Sequence, residues 1–403
     1  MMSKTVWIIL IVCLCLALCI CAGLFLAGRI ASSFTDSQTN TDTNKYKDLK
    51  NPYSEDGSYS VKANDLKELT IDWISGSVTI VLTDGDVIRI QETADKTIKE
   101  RDALRYGISA DKLRIQACRK NHPGRLPRKD LVVSLPRSLA AQLRECEIDT
   151  VSASVSAAGL HLDELEVNTV SGKVELSNMI AEGAGIDTVS GPVILLDSQV
   201  SSLRMDSVSG MMKVSGSVKK IKVSSVSGPL ECNADACNDI RANTLSGTVD
   251  FILDKTPDKM SVDTSSGDIR IALPTDTSCS IQMDTMSGKL YLNGEAVGAK
   301  QLTLGEGEAQ FDIDSMSGSV FIRTKEPGFT LFHLTNPSQS ATIVCNKQGG
   351  YPHGKTRKDH LGHPLRHRSH ADGALQRRAR SPARDHERPG VSGRCKHNQR
   401  NDL

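Results

Sequence analysis

Residues 185–195 read GIDTVSGPVIL, residues 166–176 read EVNTVSGKVEL, and residues 204–214 read RMDSVSGMMKV. The same short sentence is written repeatedly, and its period decides the fold. The glycines of successive Ser-Gly pairs are Gly172, Gly191, Gly210, Gly228, Gly247, Gly267, Gly288 and Gly318, at steps of 19, 19, 18, 19, 20, 21 and 30 residues. Ala153, in DTVSASV, stands one step earlier, and Gly76, in DWISGSV, is a distant outlier. A period near 20 residues is the mark of a solenoid, whose units bury their apolar faces only by stacking on one another.

Aligning the repeats on the glycine gives physical columns. Five residues before it stand Val167, Ile186, Met205, Val223, Ala242, Val262, Met283 and Ile313. Two after it stand Val174, Val193, Met212, Leu230, Val249, Ile269, Leu290 and Val320, and four after it Leu176, Leu195, Val214, Cys232, Phe251, Ile271, Leu292 and Ile322. Apolar residues two apart on short, β-branched stretches predict strands with one buried face. The fold class expected is therefore all-β: a parallel β-solenoid with rungs of about 19 residues, stacked at about 4.8 Å. Ser-Gly is expected at a corner, because glycine accepts left-handed backbone and close backbone approach.

The column four before the glycine is polar: Asp149, Asn168, Asp187, Asp206, Ser224, Asn243, Asp263, Asp284 and Asp314. Stacked carboxylates one rung apart repel by nearly 1 kcal/mol per pair even in water. Something must offset that: turn amides, the following Thr or Ser hydroxyls, or a bound cation. The Asn and Ser interruptions favour a ladder of turn caps bonded to the backbone. The nine-residue GGxGxD pattern of calcium-binding β-rolls is absent, so no metal site is assigned.

Outside the repeats the chain changes character. Val6 to Gly28 is an apolar, charge-free run between Lys4 and Arg29, and about 20 such residues suffice to cross a bilayer. It is read as a transmembrane anchor, with a cleaved signal peptide or a lipoprotein signal at Cys19 or Cys21 as the rivals. The organisation expected is a short flank (1–5), the span (6–28), a polar linker (29–60), a solenoid domain (61–330, regular repeats 148–324) and a basic tail (345–403). From Tyr351 onward there are 13 Lys and Arg against 5 Asp and Glu. Four of the 11 cysteines lie in the apolar run and the rest are scattered without CxxC pairs, so neither a disulfide framework nor a zinc site is signalled. The body is expected outside the cell.

With IRIQETADK, LRYGISADKLRI and KDLVVSLPRSL preceding the iterated DTVSG-x-V pattern, the chain from about Leu66 to Thr324 resembles the bacterial putative-adhesin family, a β-strand-repeat domain of unknown function. The resemblance implies a right-handed β-solenoid displayed at the cell surface, sometimes beside envelope-stress genes, with no established activity and no catalytic residues to carry over. One departure stands out. Such repeats continue to the end of the family's chains, whereas here they stop after FIRTKEPGFTLF, and eight of the ten histidines follow. That tail reads either as out-of-frame translation or as a genuine basic segment.

Apparent enzyme motifs dissolve on inspection. Gly349 to Thr356 satisfies GxxxxGK[ST], but Gly362 and Pro364 spoil the helix that a phosphate-cradling loop needs behind it. Ser217-Val218-Lys219-Lys220 matches SxxK without its partner motifs, and the body's histidines, His122, His161 and His333, suggest no triad. No enzyme, cofactor, nucleotide or nucleic-acid partner is expected. The function expected is a non-catalytic, membrane-anchored, adhesin-like solenoid that binds a partner or a cell-envelope polymer. The alternative is a regulatory subunit of an envelope-stress response acting through membrane partners.

Overall fold

The computed structural model describes residues 49, 53–118 and 126–325. The expected span, most of the linker, the GxxxxGK[ST] match and the basic tail lie outside the described residues. Among the described residues no helix is long and apolar enough to cross a membrane.

Each repeat is two strands meeting at the Ser-Gly corner. The strands before the corners pair in parallel and in register, Val167 opposite Ile186 and Ile186 opposite Met205. Those after the corners do the same, Val174 opposite Val193 and Val193 opposite Met212. Two parallel ladders result, and their inner faces carry the three apolar columns. Every member of those columns is buried except Leu292, which is half-buried. Each buried Val, Ile or Leu contributes roughly 1.5–3 kcal/mol relative to exposure, which no rung could realise alone. At the bend opposite the corner, the strands Val193–Ser207 and Met212–Ser225 run from one ladder into the other without a break.

The spatial order of rungs is not the chain order. Glu68–Trp73 lies between Lys112–Gln116 and Glu145–Thr150, and Gly76–Thr83 between Lys129–Pro136 and Ser154–Ala158. The Gly76 outlier is therefore a rung seated directly on the Ala153 rung. At the far end Ala309–Ser315 lies between Lys259–Thr264 and Cys279–Thr285, and Val320–Lys325 between Ile269–Pro274 and Leu290–Leu292. The Gly318 rung is thus interleaved between those of Gly267 and Gly288. The 30-residue step is the length of that excursion.

Both ends of the stack close with antiparallel strands. Arg105–Ser109 pairs with Lys112–Gln116, and Ile88–Ala94 pairs with Lys129–Pro136. At the other end Gln301–Leu304 pairs with Cys279–Thr285, and Glu295–Val297 with Leu290–Leu292. Short hairpin strands of this kind blunt an edge that would otherwise template further pairing. The first closing layer holds a buried ion pair: the Lys129 ammonium bonds Glu92 (2.9 Å), the Asp102 carbonyl (2.7 Å) and the Ala117 carbonyl. Its three hydrogens all have acceptors, and the Trp73 ring packs 5.1 Å away. Burial pulls the Lys129 amine below its ordinary range, although Glu92 opposes this.

Candidate functional site

Gly172, Gly191, Gly210, Gly228, Gly247, Gly267, Gly318 and Gly288 all stand at the bend between the two ladders. A β-carbon on any of them would overlap the carbonyl oxygen of the preceding corner in the stack, Ala153 below Gly172 and a glycine below each of the others. Close approach requires glycine here; left-handed backbone does not, since among the corners only Gly76 has positive φ, at 104°. The column's one alanine, Ala153, faces that differently bent corner.

The corner amides are satisfied without the acidic column. Val189 and Ser190 donate to Thr169 and Val170 of the rung beneath, at 3.2 and 2.9 Å. The Gly191 amide donates to the Thr188 hydroxyl (2.9 Å), which donates in turn to the Gly191 carbonyl (3.2 Å). Thr169, Ser207, Thr244, Thr264 and Thr285 accept from their glycines in the same way, and Ser225 and Ser315 donate to the glycine carbonyl at 3.0 Å. This corrects the reading of the Asp and Asn column as the turn caps: the capping group is the next residue.

On the flank away from the corners lies a groove of about 880 Å³ that crosses six rungs, roughly 24 Å at the rung spacing. Three successive rungs place a buried residue between two outward ones: His161-Leu162-Asp163, then Ile180-Ala181-Glu182, then Gln199-Val200-Ser201. Of these outward residues all are exposed but Ser201, which is half-buried. Gln142 and Arg144 extend it toward the chain start and Ser217 and Lys219 the other way. Its walls mix amide, hydroxyl, imidazole, carboxylate and cationic groups, which differ from rung to rung.

A family model for Toastrack DUF4097 matches residues 66–323. The chain belongs to the Toastrack DUF4097 family. The match spans the Gly76 rung, the closing layers and the whole stack, in agreement with the resemblance to a β-strand-repeat family of unknown function. No curated protein matches the chain. Among solved structures, a putative lipid binding protein from Parabacteroides distasonis is 17% identical with a TM-score of 0.39, covering 70% of this chain and 98% of that one. A putative adhesin from Bacteroides fragilis is 10% identical with a TM-score of 0.35, covering 66% and 96%. A putative cell adhesion protein from Clostridium sporogenes is 12% identical with a TM-score of 0.18, covering 66% and 99%.

In this Toastrack stack the acidic column runs in register along the outer face, in the order Asp149, Asn168, Asp187, Asp206, Ser224, Asn243, Asp263, Asp314, Asp284. Its repulsion is relieved laterally. Asn168 donates to Asp149 (2.9 Å), and Arg204 bridges Asp187 (2.8 Å) and Asp206. Burial raises the Asp187 carboxyl above its ordinary range against the pull of Arg204. Burial, with Asp314 and Asp312, raises Asp263 to about 6. Among the described residues no group of three or more His, Cys, Asp or Glu is placed to hold a metal ion. The five described cysteines are buried and free; burial lifts Cys146 to about 12 and Cys237 and Cys279 to about 11, so their nucleophilic thiolate form is suppressed. The groove residues carry no motif, and only the exposed-buried-exposed alternation at each strand start signalled them.

Proposed function

We propose that the protein is a non-catalytic, adhesin-like surface solenoid, wound right-handed and anchored by residues 6–28, whose groove holds an extended polymer of the cell envelope. The observation that carries this reading is the groove's periodicity. Its walls present one residue per column at each rung, so equal units along a linear chain meet equivalent positions. Gln142, His161, Gln199 and Ser217 donate and accept hydrogen bonds, and Asp163 and Glu182 accept them, a set suited to a hydroxyl- and amide-bearing wall polysaccharide. With the body outside the cell, protease added to intact cells removes it; full protection there would refute the topology.

The binding test is co-sedimentation of the full chain, in detergent, with purified cell-wall sacculi. Wild type is expected to pellet with the wall. Replacing the exposed Gln142, His161 and Gln199 together by alanine should weaken retention about tenfold or more, the loss of roughly 1.4 kcal/mol. Failure of wild type to pellet, or equal retention of the triple variant, would overturn the proposal.

A further inference from the structure

Beyond the groove, the outer face of the first ladder carries two in-register rows of side chains. One runs Glu145, Glu164, Gly183, Ser202, Lys220, and the other Glu147, Glu166, Gly185, Arg204, Lys222. Read across the rungs, each row passes from acidic through glycine to polar or basic. Reversed over these five rungs, the second row is its own electrostatic complement about the glycine strand Ile180–Thr188, and the first is so except where the neutral Ser202 faces Glu164. One rung further out, Glu68 and Asp239 face each other with like charge. A two-fold axis along that strand lays the face onto a second copy with the stacking order inverted. Glu145 and Glu147 of one copy then meet Lys220 and Lys222 of the other, while Arg204 stays bonded to Asp187 and Asp206 of its own chain.

Three observations converge on this face. Glu164 lies over Gly183 beside Glu145 and Glu166, and its carboxyl is raised by burial and then by Glu166 and Glu145. Lys220 and Lys222 are exposed and make no ion pair among the described residues. The glycines differ in their reasons. A β-carbon at Gly183 would strike the Glu164 carboxylate lying across it, whereas one at Gly185 would meet nothing nearer than the Leu165 carbonyl oxygen at 4.0 Å. Nothing among the described residues requires Gly185 to be small, and close approach by another backbone is one reason for such a strand glycine.

We propose that this face is the contact surface for a second copy of the chain, packed antiparallel in stacking order about Gly185. Five rungs of about six residues cover on the order of 400 Å² per copy, half of a standard interface. The dimer is accordingly weak and salt-sensitive, as complementary charge patches are. This surface is independent of the groove.

The test is carbodiimide cross-linking, which joins a carboxylate to an amine in contact, on a mixture of ¹⁴N and ¹⁵N full chain in detergent. Mixed-isotope links between Glu145 or Glu147 and Lys220 or Lys222 are expected; within one chain these pairs sit four rungs apart, roughly 19 Å. The links should fade between about 0.1 and 1 M salt, where screening shortens from about 10 to about 3 Å. Lys220→Glu with Lys222→Glu removes the amines and Glu145→Lys with Glu147→Lys the carboxylates, so neither reversed protein alone can form these links. Mixing the two reversed proteins should restore links between Glu145 or Glu147 of the first and Lys220 or Lys222 of the second. Gly185→Leu should abolish wild-type linking while leaving the melting temperature no lower. Absence of the mixed-isotope links, no rescue on mixing, or undiminished linking in Gly185→Leu would each overturn the proposal.

Discussion

Thr188 shows how much one small side chain can hold. Its hydroxyl accepts from the Gly191 amide and donates to the Gly191 carbonyl within a fully packed corner. Thr188→Ala leaves both groups buried without that partner and should cost about 1–3 kcal/mol in urea unfolding. Thr188→Ser keeps the hydroxyl and should cost well under about 1 kcal/mol, since Ser207 and Ser225 already serve at equivalent corners; equal losses for both variants would refute the capping role. Asp263 gives a pH signature. Its carboxyl, raised to about 6 by burial first and then by Asp314 and Asp312, holds its proton more tightly in the folded than in the unfolded chain. Ionisation therefore costs stability above pH 6, and the cost disappears as pH falls toward the unfolded carboxylate range near 4. Asp263→Asn should stabilise at pH 7 by up to about 1 kcal/mol after solvent screening. It should also flatten the gain that wild type shows between pH 7 and pH 5; an unchanged pH profile would count against this. The sequence could not separate the hydroxyl column from the acidic one beside it, because both are polar and both precede the corner. Only the direction of the side chains assigns the cap.

Strands were more readable than their order. Residues two apart along a strand share a face whatever the tertiary context, so the apolar columns could be taken directly from spacing, and they are the inner faces of both ladders. Val193 is completely buried within one of them. Val193→Asp should cost several kcal/mol for an unpaired buried carboxylate, whereas Lys173→Ala, at an exposed position paired only with Glu175, should stay within about 0.5 kcal/mol. Similar denaturation midpoints for the two would contradict the register. What spacing cannot convey is where a rung is inserted. The 30-residue step announced an excursion, but parallel pairing is equally satisfied on either side of the Gly288 rung, and only the hairpin beyond Leu292 leaves the inner place to the Gly318 rung. The Gly76 rung was hidden for the same reason, since some 70 residues of closing layer separate it in sequence from its neighbour in space.

At the scale of the whole molecule, the same interleaving occurs at both ends. The first solenoid rung, Glu68–Trp73 with Gly76–Thr83, and the last, Ala309–Ser315 with Val320–Lys325, each lie second from an end of the stack. This has a mechanical consequence. A solenoid whose chain ends leave from its outermost rungs can be unzipped one rung at a time, with few hydrogen bonds loaded at any moment. Here a pull applied at the Lys325 end reaches a rung gripped on both sides, so its two ladders carry the load together in shear. A pull at the other end first strips Ser58–Val61 from Ile88–Ala94 and then meets the same arrangement. Stretching single molecules from residues 53 and 325 should therefore give a high-force first rupture after the loss of Ser58–Val61. A variant carrying Val320→Asp and Ile322→Asp, which weakens the inserted strand, should yield at markedly lower force, whereas equal rupture forces would show that the interleaved rung bears no load. Burying the loaded rung inside the stack turns a peelable ribbon into a clamp.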